Sequence, residues 1–71
     1  MKFEIEKKLT PRELVILKLI TEGNANDEIG EIIHISIHTV KAHISSIIRK
    51  LKAKNRTNAA YIAAINNLFD E

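Results

Sequence analysis

The sequence contains no cysteine and no tryptophan, and only one proline and two glycines. Without cysteine the chain can form neither a disulfide nor a cysteine-based zinc site. A chain that lacks cysteine and a signal peptide is typical of the cytoplasm, where we expect this protein. No apolar run approaches the roughly 20 residues that cross a bilayer, so we expect no membrane contact. The scarcity of helix breakers and the 45% hydrophobic content favour an all-α bundle.

Acidic side chains are absent from residue 36 to residue 69. Residues 1–35 carry five Lys/Arg and seven Asp/Glu, a formal charge of −2, whereas residues 36–71 carry six and two, a formal charge of +4. One basic face on so small a domain is expected of a protein that binds a polyanion. A solvated lysine-rich surface is the alternative that composition leaves open.

The first predicted helix has a clear beginning and end. Thr10 is a suitable N-cap, Pro11 stands at the first helical position, and Glu13 completes a capping box. Gly23 is placed to end the helix in a left-handed turn. These signals predict a helix over residues 11–22.

Two further helices follow closely, over residues 26–34 and 37–52. Ser36 is a good N-cap for the later one. Gly30 lies in the middle of the earlier helix, where glycine costs about 1 kcal/mol relative to alanine. We therefore expect a neighbouring helix to approach closely at Gly30.

The helix over residues 37–52 has two contrasting faces. An apolar stripe, expected in the core, consists of Val40, Ile44, Ile47 and Leu51. The opposite face consists of His38, Ala42, Ser45, Ser46 and Arg49. Small side chains flanked by cations suit a helix that enters a DNA groove, since bulky residues would hold the backbone away and acidic ones would be repelled by phosphate. The pattern predicts a recognition helix.

A fourth helix is predicted over residues 57–69, with Thr57 as its N-cap. It is apolar over more of its circumference than one small core requires, so part of it is expected to meet a second subunit. The candidate interface residues are Ala60, Tyr61, Ala64 and Leu68. Which face of the helix forms that interface stays open.

Several short motifs carry a family resemblance. Leu-Thr-Pro-Arg-Glu stands at 9–13, Leu-x-Leu-Ile-x-x-Gly at 17–23 and Asn-x-Glu-Ile at 26–29. Ile-Ser-x-x-Thr-Val-Lys-x-His-Ile at 35–44 and Lys-Leu-x-x-Lys-x-Arg-x-x-Ala at 50–59 follow. Together they resemble the four-helix LuxR/GerE-type helix-turn-helix domain.

The resemblance divides the chain into a lead-in at 1–8 and a domain at 9–71, with the helix-turn-helix unit at about 26–45. No receiver or ligand-sensing domain precedes it in this sequence, so it is most similar to the stand-alone GerE subgroup. A start at Met1 favours a complete small protein, and an excised domain of a longer protein is the alternative.

The resemblance implies a sequence-specific, double-stranded DNA-binding transcriptional regulator that acts as a homodimer at the nucleoid. Its implied base-contacting residues are Lys41, Ala42 and Ser45. The expected phosphate contacts, with Arg49 added from the basic run at 49–56, are Asn26, Ser36, Thr39, His43, Arg49, Lys50, Lys54 and Arg56. RNA polymerase or another LuxR-type regulator are further candidate partners. The alternative function is an interaction protein that heterodimerises with such a regulator and modulates it.

Departures from the family pattern occur at two helix ends. Ala25 replaces a common Ser/Thr, so Asn24 or Asn26 is expected to cap instead. Lys52 replaces a glycine that often ends the recognition helix. That helix is therefore expected either to run on or to need Lys52 or Asn55 in a left-handed conformation.

Catalytic and metal-binding functions are not expected. His34 and His38 are separated by the predicted helix break, and no cysteine or suitably placed carboxylate completes a metal site with His43. Ser45 and Ser46 lie too close to His43 on one helix to form a nucleophile–base pair. We therefore predict no enzyme activity, no catalytic residue, no metal, no cofactor and no small-molecule ligand.

Overall fold

A computed structural model describes residues 8–69, and residues 1–7 of the predicted lead-in and residues 70–71 lie outside the described part. The described chain forms four helices and no strand, which confirms the all-α prediction. The helices are α1 (Pro11–Thr21), α2 (Asn26–Ile33), α3 (Ile37–Leu51) and α4 (Arg56–Ile65). No helix between residues 8 and 69 has the length and apolar character that a membrane span requires.

The capping box predicted for α1 is present. The Thr10 hydroxyl accepts a hydrogen bond from the Glu13 backbone N–H at 3.1 Å, and the Glu13 carboxylate accepts one from the Thr10 N–H at 2.9 Å. Gly23 has a φ of 92°, the left-handed conformation expected after the helix. Local sequence therefore determines both ends of α1.

At the start of α2, only one half of a capping box forms. Ala25 is the N-cap residue and has no side-chain acceptor, but its N–H donates to the Glu28 carboxylate at 2.6 Å. The expectation that Asn24 or Asn26 caps α2 is wrong. Their side chains have other partners: Asn24 donates to the Leu19 carbonyl, and Asn26 accepts from Arg56.

The turn between α2 and α3 is short and tightly packed. His34 adopts a left-handed conformation with a φ of 62°, and Ser36 caps α3 by accepting from the Thr39 N–H at 3.0 Å. A Cβ atom on Gly30 would lie 2.7 Å from the Ile35 carbonyl oxygen and 3.7 Å from Val40 on α3. The expected neighbouring helix is present, but the turn itself makes the closest approach.

Lys52 ends α3 in the left-handed conformation, with a φ of 55°, as one of the alternatives predicted. Asn55 instead caps α4, because its side-chain oxygen accepts from the Asn58 N–H at 2.8 Å. The prediction of Thr57 as N-cap is therefore wrong.

The C-terminal bound of the fourth helix was also predicted wrongly, because α4 ends at Ile65 and not at residue 69. Asn67 has a φ of 52° and turns the chain back toward α1. As a result Leu68 is buried, and the Phe69 ring lies 5.4 Å from the Lys18 ammonium. Burial of these two apolar side chains competes with continuation of the helix.

A single core joins all four helices. Its members include the predicted stripe residues Val40, Ile44 and Ile47, and Leu51 packs against its edge. Between residues 8 and 69, the buried apolar residues are Leu9, Ile16, Leu17, Ile20, Ile29, Val40, Ile44, Ile47, Ala59, Ala63 and Leu68. Burial of one side of α3 leaves its opposite side on the surface.

Candidate nucleic-acid interface

The outward side of α3 forms a narrow exposed strip. Its exposed members are His38, Lys41, Ala42, Ser45 and Arg49, followed by the cap residue Lys52. At 100° per residue they span an arc of about 100° on the helical wheel. The strip contains three cations and no carboxylate. The structure thus brings the three predicted base-contacting residues, Lys41, Ala42 and Ser45, together on one accessible face.

The first turn of α3 lies beside this strip. Ser36 is exposed, and its hydroxyl donates to the Thr39 hydroxyl at 2.9 Å while it accepts the Thr39 N–H. The turn contains no acidic residue, so the positive end of the helix dipole is not neutralised there. Thr39 and His43 are half-buried on the flank of α3. Exposed Ser36 is therefore better placed for a phosphate contact than Thr39 or His43.

Two side chains assigned to DNA contact or to the groove face are engaged inside the domain. The Ser46 hydroxyl donates to one oxygen of Glu13 at 2.8 Å, and the Lys50 ammonium donates to the other at 2.9 Å. Arg49, which is exposed, donates to the Ser46 hydroxyl at 3.3 Å. Ser46 thus belongs to the flank that faces α1, a correction to its placement on the groove face.

The Glu13 carboxylate is strongly stabilised in its charged form. Burial of this group, which is 4% exposed, would by itself raise its pKa. Hydrogen bonds from Lys50, from the Thr10 backbone and from Ser46, together with the charge of Lys50, outweigh burial and lower the pKa from 4.5 to about 2. The capping box gave one sequence signal for these contacts. It uses only one oxygen of the Glu13 carboxylate, so the second oxygen needs another donor.

A second internal contact involves Arg56 at the start of α4. Its guanidinium donates to the Asn26 side chain and to the Asn24 backbone carbonyl. Two residues predicted to contact phosphate, Asn26 and Arg56, are therefore bonded to each other and half-buried. Sequence reasoning missed this contact because the two residues are 30 positions apart.

The remaining predicted phosphate-contacting residue, Lys54, lies in the connector between α3 and α4 and is exposed. Its backbone N–H donates to the Asn58 side chain at 2.9 Å, which fixes the connector while leaving the ammonium outward. Ser36, Arg49 and Lys54 are the members of the predicted phosphate set that are exposed.

The predicted interface on α4 is only partly available. Tyr61 is 60% exposed and Ala64 is also exposed, whereas Ala60 is half-buried. Leu68 is 4% exposed because the chain turns back after Asn66, so its assignment to the interface is wrong. Ile65, which is 58% exposed, was not included in the prediction. Its position four residues after Tyr61 is the signal that places both on one face.

Within residues 8–69, no three His, Cys, Asp or Glu side chains lie close enough together to hold a metal ion.

Comparison with known proteins places the chain in a family. It is 53% identical over 62 residues to the transcriptional regulatory protein LiaR of Bacillus subtilis, which covers 87% of the chain and 29% of LiaR. It is 46% identical over 66 residues to the response regulator protein VraR of Staphylococcus aureus, covering 93% of the chain and 32% of VraR. The chain therefore spans about a third of the length of these relatives. The model of the luxR family of bacterial regulatory proteins, GerE, matches residues 7–63, and the chain belongs to this family.

Proposed function

We propose that this chain binds double-stranded DNA with α3 in the major groove and regulates transcription as a homodimer. The observation that carries the proposal is the exposed strip on α3, which combines small side chains with cations and has no carboxylate. A major groove about 12 Å wide admits such a helix, and phosphate attracts its charge. The relatives' descriptions as a transcriptional regulatory protein and a response regulator support the same role.

The three predicted base-contacting residues would differ in how strongly they discriminate between bases. The Lys41 ammonium can donate to O6 and N7 of guanine, whereas the Ala42 methyl can contact only the methyl group of thymine. Ser45 can donate or accept, so it discriminates weakly. With one strong reader, each half-site is modestly specific, and a dimer that reads two half-sites about 34 Å apart would supply the rest.

Backbone contacts would come from the exposed cations around the strip. Arg49 lies at the C-terminal end of the strip, and Lys54 follows in the connector. Ser36 and the first-turn N–H groups of α3 offer donors at its other end. These groups supply affinity that does not depend on sequence.

The test begins with selection of bound sequences from random duplex DNA, followed by binding measurements across a range of salt concentrations. Lys41→Ala is expected to cost about 1–3 kcal/mol on the selected site and to relax the preference at one base pair. Lys54→Ala is the matched control for charge, since it removes a cation outside the groove strip. It is expected to weaken all sequences alike and to reduce the salt slope by about one.

The absence of salt-dependent binding to any duplex, at protein concentrations where the chain dimerises, would contradict the proposal. Equal effects of the two substitutions on every sequence would contradict the assignment of Lys41 as a base reader.

A further inference from the structure

Glu13 joins the beginning of α1 to the C-terminal half of α3. One carboxylate oxygen accepts from the Thr10 N–H and the Lys50 ammonium, both at 2.9 Å, and the other accepts from the Ser46 hydroxyl at 2.8 Å. The Glu13 side chain is 5% exposed, and that of Lys50 is 24% exposed. A buried carboxylate with three donors in fixed positions is a rigid connection between two helices.

The geometry of this connection limits rotation of α3 about its own axis. Ser46 and Lys50 are four residues apart, so they lie on one flank of the helix and are held at two points along its length. The core contacts on the adjacent side of α3 are apolar and non-directional, whereas hydrogen bonds lose strength steeply with misalignment. The contacts with Glu13 therefore determine the rotational setting of α3 more sharply than the core does.

A small rotation would matter at the DNA face. Surface atoms of a helix lie about 5–6 Å from its axis, so a rotation of about 10° moves them by about 1 Å. Ser45 directly precedes the bonded Ser46, and Lys41 lies one turn earlier on the same strip. A displacement of this size is enough to misalign a hydrogen bond to a base edge but is easily absorbed by a flexible contact to phosphate.

We infer that Glu13 is a specificity-determining positioning residue, which holds α3 in the rotation that aligns Lys41 and Ser45 with the bases through its contacts with Ser46 and Lys50. The inference rests on the proposed DNA binding. Glu13 itself contacts no DNA in this role. The contacts of Glu13 with Ser46 and Lys50 form an anchor between α1 and α3. They occupy Lys50 inside the domain, so Lys50 acts as part of this anchor.

The experiment compares two independent disruptions of the anchor. Glu13→Ala removes its α1 end, and the double variant Ser46→Ala/Lys50→Met removes its α3 end without touching the capping box. Glu22→Ala is the matched control, since it removes a glutamate that follows the same helix and pairs with Lys18 at 3.6 Å on the surface. The readout is the specificity ratio, the dissociation constant for a scrambled duplex divided by that for the selected site, measured where circular dichroism shows each variant to be folded.

Both disruptions are expected to lower this ratio by at least about fivefold, the low end of what one mismatched base pair costs. Combining them in a triple variant is expected to lower it no further, because both remove the same anchor. Glu22→Ala should leave the ratio unchanged. Loss of phosphate contact alone weakens both duplexes together and cancels in the ratio.

An unchanged ratio in both disrupted proteins, with only their stability reduced, would overturn the inference and leave Glu13 as a capping residue. If Glu13→Ala does not fold, the Ser46→Ala/Lys50→Met variant decides alone. A wild-type chain that binds no duplex, or binds all duplexes equally, would overturn the proposed function and the inference with it.

Discussion

Among the described residues, 8–69, Glu13 is the buried charged side chain, and it gives the domain a defined response to acid. Its pKa is lowered to about 2 in the folded state, from 4.5. The carboxylate therefore stabilises the fold fully above pH 4.5, and this contribution is lost as the pH falls through 2. The lowering of the Glu13 pKa from 4.5 to about 2 corresponds to about 3 kcal/mol of folding free energy.

Glu13→Gln is accordingly expected to lower the free energy of unfolding by up to about 3 kcal/mol at pH 7 and by almost nothing near pH 2. Urea unfolding of the variant and the wild type between pH 2 and 7 measures the difference. The comparison removes the titration of the other carboxylates, which both proteins share. A difference that stays constant over this range would show that the contacts of Glu13 do not depend on its charge.

The accessible residues of the site could be predicted from sequence, but their internal partners could not. The 3.6-residue repeat alone places Ala42 and Ser45 opposite the core and Lys41 on the shoulder of that face, and all three are exposed. The contacts of Lys50 and Ser46 with Glu13 bridge 37 and 33 residues of sequence. A cation on the flank of a helix has the same local pattern whether it meets a phosphate or a buried carboxylate.

At the scale of the helices, boundaries followed the sequence where a single cap was available. Thr10 and Ser36 both cap as predicted. The start of α4 offered two caps, and Asn55 is used in place of Thr57. The end of α4 could not be predicted from local sequence, because burial of Leu68 against the core decides where the helix stops. Tertiary packing determined the boundary that propensity could not.

The end of α3 provides a test of local strain. Lys52 has a φ of 55°, and a left-handed conformation costs an L-residue about 1–2 kcal/mol more than glycine. Lys52→Gly removes that cost, but glycine also makes the unfolded chain more flexible. The added entropy of the unfolded state destabilises the fold by roughly 0.5–1 kcal/mol. We expect a net gain in stability of about 0.5–1 kcal/mol, visible as a rise of a few degrees in Tm.

Lys52→Ala is the matched control, since it removes the same side chain but keeps a Cβ atom. It is expected to give no gain in Tm. If alanine stabilised the domain as much as glycine, the effect would come from removal of the charge, and the conformational explanation would be wrong.

At the scale of the whole molecule, the candidate DNA face and the most exposed large apolar side chains lie on different helices. The cations of the strip lie on α3, and Lys54 lies in the connector that follows it, while Tyr61 and Ile65 lie on α4. Val15 on α1, Ile32 on α2 and Ile37 on α3 are also about half exposed, but each is the single exposed large apolar residue of its helix. Tyr61 and Ile65 are four residues apart, so together they form the apolar surface best suited to a second copy of the chain.

Ile65→Glu is therefore expected to weaken self-association by at least about tenfold, since desolvating a carboxylate at an interface costs more than 1.4 kcal/mol. The fold should be unaffected, because Ile65 is 58% exposed. Sedimentation equilibrium measures the association constant, and binding to DNA with one or two half-sites shows the consequence. The variant should lose the advantage of the second half-site but keep its affinity for a single one, because α3 is unchanged.

Val15→Glu, which introduces the same charge at an apolar residue that is 46% exposed on α1, should alter neither measurement. Equal association of Ile65→Glu and the wild type would place the interface elsewhere, and a wild-type chain that stays monomeric would favour heterodimerisation with another regulator.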